Sequence, residues 1–83
     1  MKLLYFAWVR QRVGKAEEVV DPPASVATVG DLLAWLKTRG PGYIAALAEP
    51  GVVKVAVNQE FAGLSQALAP GDEVALFPPV TGG

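Results

Sequence analysis

Thr28-Val29-Gly30-Asp31-Leu32-Leu33-Ala34-Trp35-Leu36-Lys37-Thr38-Arg39-Gly40-Pro41-Gly42 is the stretch whose reading decides the fold of this 83-residue chain. Val29, Leu32, Leu33 and Leu36 follow the i, i+3, i+4, i+7 spacing of a buried helical stripe, with Trp35 as a packing residue at its boundary. Thr28 is placed to cap the first turn, and Asp31 three residues on completes a capping-box pattern at the positive end of the helix dipole. Lys37 and Arg39 suit the negative end, and Gly40-Pro41-Gly42 stops the helix. The pattern predicts one main helix over 29–39, with a second short helical piece over 43–48 before Pro50-Gly51.

Both flanks of this helix read as strands. Upstream, the aromatic and aliphatic run over 2–9 predicts a first strand, with Leu3, Tyr5, Ala7 and Val9 on one face and Lys2, Leu4, Phe6 and Trp8 on the other. Residues 10–14 read as a tight turn or a single helical turn. A short second strand over 17–20 completes a hairpin and is closed by Asp21-Pro22-Pro23, which cannot continue a ladder. Downstream, 52–58 predicts a third strand, Asn58-Gln59-Glu60 a turn, and Phe61 the centre of a short strand. Pro70-Gly71-Asp72 signals a turn into a last strand over 73–77. Strands with one amphipathic helix to cover one sheet face make an α+β, two-layer plan.

Covering one face leaves the other open. The helix is expected over Val53, Val55, Val57, Val74 and Leu76. The opposite side then carries Leu4, Phe6, Trp8, Ala56, Ala75 and Phe77, with only Lys2, Lys54 and Glu73 to solvate it. An exposed apolar cluster of that kind marks a partner-binding surface. The alternatives are cover by a loop, or simple strand preference for aromatic residues.

Composition narrows the chemistry. Seven basic and eight acidic residues give a net charge of −1, scattered along the chain, with 52% hydrophobic residues. That is ample for one small core and leaves no basic stripe for nucleic acid. No apolar run approaches the ~20 residues that span a bilayer, and Arg10 and Arg12 interrupt the N-terminal one before any signal-peptide pattern. A cytoplasmic protein is expected. The absence of cysteine and histidine removes disulfides, thiolate chemistry, zinc sites of the usual kind and any serine–histidine pair. Gly63-Leu64-Ser65-Gln66-Ala67 approaches a nucleophile elbow but ends in alanine and has no base. Val13-Gly14-Lys15-Ala16 lacks the first glycine and the hydroxyl residue of a phosphate loop. Glu17 and Glu18, adjacent on a strand, point to opposite faces and make no paired acid site. Asp72 reads as a turn former.

What remains is the end of the chain, Phe77-Pro78-Pro79-Val80-Thr81-Gly82-Gly83. Two glycines without side chains let a terminal carboxylate enter a narrow slot. The prolines hold φ and cannot donate to a ladder, so 78–83 stays extended, reaching roughly 18 Å at ~3.1 Å per residue. The segment reads as an arm that delivers a carboxylate to another protein, against the plainer reading of a frayed terminus.

Nearly the whole chain resembles the small subunit of molybdopterin synthase, the MoaD family of ubiquitin-like sulfur carriers. The residues that carry the resemblance are Tyr5-Phe6-Ala7 with Val9-Arg10, then Ala56-Val57-Asn58-Gln59, and above all Leu68 with Gly71-Asp72-Glu73-Val74-Ala75-Leu76-Phe77-Pro78-Pro79-Val80-Thr81-Gly82-Gly83. The resemblance implies a ubiquitin-like β-grasp with its first and last strands side by side at the sheet centre. It implies a β-grasp domain over 1–77 and an extended tail over 78–83. Gly83 would be adenylated by an ATP-using activating enzyme and converted to a thiocarboxylate with sulfur from a separate donor. The carrier would then donate that sulfur to a cyclic pyranopterin monophosphate, forming the molybdopterin dithiolene.

Phe6, Phe61 and Phe77 would dock on the large subunit, with Pro78, Pro79, Val80, Thr81 and Gly82 threading into it. The resemblance further implies a heterotetramer of two small and two large subunits, with catalytic residues in the large one. No cofactor or metal would be held by this chain. A carrier for thiamine synthesis or tRNA thiolation, a protein modifier, and a pure interaction module remain alternatives.

Overall fold

The computed structural model describes residues 1–49 and 51–79. The elements are β1 (Lys2–Tyr5), α1 (Ala7–Val13), β2 (Glu17–Val19), α2 (Val29–Lys37), α3 (Pro41–Ala46), β3 (Lys54–Val57), β4 (Glu60–Ala62) and β5 (Glu73–Phe77). They form a five-stranded mixed sheet in the order β2-β1-β5-β3-β4. β1 and β5 lie side by side and parallel at its centre, and every other pairing is antiparallel. This is the β-grasp arrangement that the resemblance implies, in an α+β fold.

α2 starts as its sequence dictates. Thr28 Oγ1 accepts the Asp31 N–H at 3.2 Å, while Asp31 Oδ2 accepts the N–H groups of Thr28 at 3.2 Å and Ala27 at 3.1 Å. Those backbone donors, Ala27 first, hold the Asp31 carboxyl below its ordinary range. The helix buries Val29, Leu32 and Leu36 against Leu3, Tyr5, Val55, Val57, Val74 and Leu76 of the sheet. α2 ends at Lys37 with Thr38 as its C-cap, two residues before the end that the sequence pattern predicts, and Gly40-Pro41-Gly42 instead begins α3, with Pro41 in the first turn, where its missing N–H costs nothing.

The first strand is shorter than its sequence suggests. β1 stops at Tyr5; Ala7, Trp8 and Val9 belong to α1. Ala7 sits at φ +53°, a left-handed conformation that turns the chain out of the sheet. The Phe6 carbonyl then accepts the N–H groups of Val9 at 3.1 Å and Arg10 at 3.3 Å, opening the helix. Gly14, at φ +93°, closes it by donating to the Arg10 carbonyl at 2.8 Å. α1 packs beside α3 at Gly42, where a Cβ would lie 2.6 Å from the Arg12 carbonyl oxygen. β1 and β2 do pair as expected, joined by a seven-residue helix where the sequence suggested a tight turn or a single helical turn.

The β3–β4 register pairs Val57 with Glu60 and leaves a two-residue loop, Asn58-Gln59, with φ of +51° and +71°. Positive φ at both positions matches the twist of a tight hairpin. Asn58 also ties this loop to the start of β5. Its Nδ2 donates to Asp72 Oδ1 and its Oδ1 accepts from the Glu73 N–H, both at 3.0 Å. Asp72 Oδ2 accepts the Ala69 N–H at 2.7 Å, which makes Asp72 the turn former expected of it. No helix among the described residues is long and apolar enough to cross a membrane.

Candidate functional site

The face of the sheet away from α2 is built in rows across the strands. Glu17, Leu4, Ala75, Ala56 and Phe61 lie in register from one edge to the other. One row further on, Phe77 pairs with Lys54, and Phe6 follows the last β1–β5 pair, donating its N–H to the Leu76 carbonyl at 3.1 Å. On the other side, Lys2 pairs with Val19 and Glu73. Small alanines at the centre of two strands make a shallow floor, with the larger side chains around it.

The aromatic members stand proud of this floor. Phe61 is 82% exposed and Phe6 48%. Phe77 is half-buried, and its ring lies 5.8 Å from that of Phe61 at an angle of 55°. Pro78 is half-buried and Pro79 exposed, immediately beyond the end of β5. The structure therefore brings Phe61 and Phe77 into contact and sets Phe6 at the same end of the sheet. Val80, Thr81, Gly82 and Gly83 lie outside the described residues. Trp8 is a correction: it leaves the open face with α1, packs partly against the core, and carries the Arg12 guanidinium 4.4 Å from its ring centre. Val19, 80% exposed on the same face, escaped notice in the sequence because a three-residue strand shows no usable alternation.

A second cluster was also missed. Glu18 lies opposite Leu3 on the covered face, its side chain only 10% exposed. Its Oε2 accepts the hydroxyls of Tyr43 at 2.6 Å and Tyr5 at 2.7 Å. Its Oε1 accepts Arg39 Nη1 at 2.9 Å, with Lys15 Nζ at 3.5 Å. Burial opposes its charge, but the hydrogen bonds from Tyr43, Tyr5 and Arg39, with the Arg39 charge, bring its carboxyl down to about 2. Burial, then the bond to and charge of Glu18, push both tyrosine hydroxyls up. At neutral pH Glu18 stays ionised and both tyrosines stay protonated, so the cluster is a clasp joining β1, β2, α3 and the segment after α2. The clue in the sequence was an acid on the inward side of β2, which requires donors.

Among the described residues no three acidic side chains stand together to hold a metal ion. The Asp72 carboxylate is engaged in the turn by the Asn58 amide and the Ala69 N–H. What the described surface offers is recognition: an apolar floor, an aromatic end, and a chain leaving from the aromatic end.

Known proteins share this plan. A ThiS family profile matches residues 3–83. The molybdopterin synthase sulfur carrier subunit of Escherichia coli K12 is 40% identical over 83 residues, covering 100% of this chain and 99% of that protein. Small archaeal modifier protein 1 of Haloferax volcanii is 44% identical over 88 residues, covering all of both. The crystal structure of the Haloferax volcanii protein superimposes with a TM-score of 0.80 at 36% identity, covering 100% of this chain and 98% of that one. With the sheet order, the open aromatic face and these full-length matches in agreement, the chain belongs to the ThiS family.

Proposed function

We propose that this chain is the sulfur-carrying small subunit of a molybdopterin synthase. The observation that supports it best is positional. The central strand β5 ends at Phe77, inside an exposed aromatic patch, and hands the chain directly to Pro78-Pro79. A partner that grips Phe6, Phe61 and Phe77 thereby receives the tail at a fixed origin. The relative that is 40% identical over this chain's whole length is a sulfur carrier subunit of that enzyme.

In this proposal residues 1–77 are the docking body and 78–83 the arm. A carboxylate ordinarily ionises near pH 3.5 and is a poor electrophile. The Gly83 carboxylate therefore attacks the α-phosphorus of ATP on an activating enzyme, pyrophosphate leaves, and sulfur from a donor displaces AMP. The resulting thiocarboxylate passes its sulfur to a cyclic pyranopterin monophosphate on the large subunit, and two charged carriers complete one dithiolene. Gly82 keeps the approach slim, Val80 and Thr81 supply an apolar anchor and backbone hydrogen bonds, and Pro78-Pro79 reduce the entropy lost on threading. The large subunit supplies the catalytic residues in a heterotetramer of two small and two large chains in the cytoplasm. This chain binds no cofactor.

The test is dithiolene formation with activating enzyme, ATP, a sulfur source, large subunit and pterin precursor. Deleting Gly83, or adding one alanine after it, moves the reacting carbon by about 3.5 Å and should abolish product without changing the melting temperature. Gly82→Val should be nearly as harmful. Wild-type rates from the extended form would refute the proposal. A second reading, attachment of the activated terminus to protein amines, is favoured by the 44% identity to a protein named a modifier. Intact-mass spectra separate the two: a sulfur-for-oxygen increment on the free carrier supports the first, conjugates of the carrier with other proteins the second.

A further inference from the structure

The charges that have no ion-pair partner among the described residues are sorted by end of the sheet. The ion pairs are Lys2–Glu17, Lys15–Glu18 and Arg39–Glu18. Of the four remaining cations, Lys37 stands at the end of α2, and Arg10, Arg12 and Lys54 belong to the end of the sheet from which the tail departs. Lys54 is exposed and pairs across the ladder with Phe77. Arg10 and Arg12 are exposed on α1, which leaves β1 at Phe6 and returns to β2 where the Tyr5 N–H meets the Ala16 carbonyl at 2.8 Å. Only Glu49 opposes them there, lining a shallow pocket with Trp8, Arg12 and Val52. At the far end stand Asp21 after β2, Glu60 at the start of β4, and Asp72 and Glu73 at the start of β5. The N-terminal ammonium, bonded to the Val20 carbonyl at 3.1 Å, partly offsets them.

The molecule is thus nearly neutral in sum and dipolar in arrangement, with its positive end where the tail departs, Lys54 beside Phe77 and Arg12 stacked on Trp8 of α1. This inference rests on the docking reading above and specifies the partner. We propose that Lys54 and Arg12 form a cationic rim that meets carboxylates bordering the tail-receiving cleft of the large subunit, and that this pairing steers the carrier in tail first. An apolar patch alone has no orientation at a distance. Opposed potentials orient partners before contact and raise the association rate, more so at low salt. An ammonium beside Phe77 would also lose solvent as the ring is covered, so an acidic neighbour is what makes burial of that end tolerable.

Stopped-flow association with the large subunit tests this at low salt and at about 0.5 M salt, where screening acts within a few ångströms. Lys54→Glu with Arg12→Glu should slow association about tenfold or more at low salt and flatten its salt dependence. Glu60→Lys with Asp21→Lys, a charge change of equal size and opposite sign at the far end, should change the rate by less than about twofold. Equal and opposite effects of the two double reversals would mean that only net charge matters, and would overturn the rim. So would an unchanged rate and salt slope in Lys54→Glu with Arg12→Glu. Phe77→Ala, measured beside them, keeps the two readings apart. If it abolishes binding while the reversals do nothing, docking by this face stands and the acidic partner rim falls. If it has no effect, the docking reading itself falls.

Discussion

The two faces of the sheet use the same strands to opposite ends. On the side of α2, Leu3, Tyr5, Val55, Val57, Val74 and Leu76 are buried, Leu76 to 1% exposure. One residue along, Leu4, Ala56, Ala75 and Phe77 are only half-buried, and Phe61 is almost fully exposed. Both faces are apolar, so hydrophobicity alone does not tell a core from an interface. Supply of a second layer does: one amphipathic helix covers one side, and in the proposed function a second protein covers the other. The stability of the fold and the affinity of the complex are then written in alternate letters of the same strands.

The largest effect that could break this comparison is on the covered face. Leu76→Ala should cost about 2–5 kcal/mol, a large share of what a small domain has, as read from urea or guanidinium unfolding. A change below 1 kcal/mol would mean that the core is not where the structure puts it. The clasp on the same side is next. The Glu18 carboxyl is depressed from 4.5 to about 2 on folding, so its contribution is fully present above pH 4.5 and lost as pH falls toward 2. Unfolding free energy should drop by about 3 kcal/mol across that window, and Glu18→Gln should flatten the profile there.

On the open face the weight moves from stability to binding. Phe77→Ala and Phe6→Ala should each weaken large-subunit binding by about 2 kcal/mol in calorimetric titration. The loss of the Phe61–Phe77 contact limits the stability cost of Phe77→Ala to about 0.5–1.5 kcal/mol. Smallest of all, Phe61→Ala loses the same ring contact but almost no buried surface, so its stability cost should stay at the low end of that range, about 0.5 kcal/mol, while affinity still falls. A steep loss of stability from Phe61→Ala would erase the distinction between the faces.

Local signals carried the reading of α2 and β5. The Thr28–Asp31 box and the stripe from Val29 to Leu36 are short-range patterns that need no tertiary context, and Pro70-Gly71-Asp72 marks the start of the last strand equally well. The first strand was overextended because Phe6, Ala7, Trp8 and Val9 continue its alternation without a break. Nothing at Phe6 caps a helix; the turn depends on Ala7 entering the left-handed region and on α3 offering Gly42 as a bed for α1. That is long-range information. Glu18 was correctly placed on the face opposite Glu17, but its donors stand 13, 21 and 25 residues away, beyond the reach of any local pattern. The aromatic members of the open face were legible through alternation, although Phe61 entered by resemblance alone. The rim formed by Lys54 and Arg12 was not legible, since it exists only once α1 is known to sit at the tail end.

The central position of β5 has a mechanical side. This strand is laced to β1 by four residue pairs and to β3 by four more. A pull on Pro78 along the strand axis loads both ladders in shear, so the bonds must fail together rather than unzip one at a time. Resistance to such a pull is governed by the rate of forced unfolding rather than by equilibrium stability. In the proposed function, where the end of the carrier is drawn into one enzyme, released, and drawn into another, each pull falls on the strand that is laced on both sides, and the body stays folded under it.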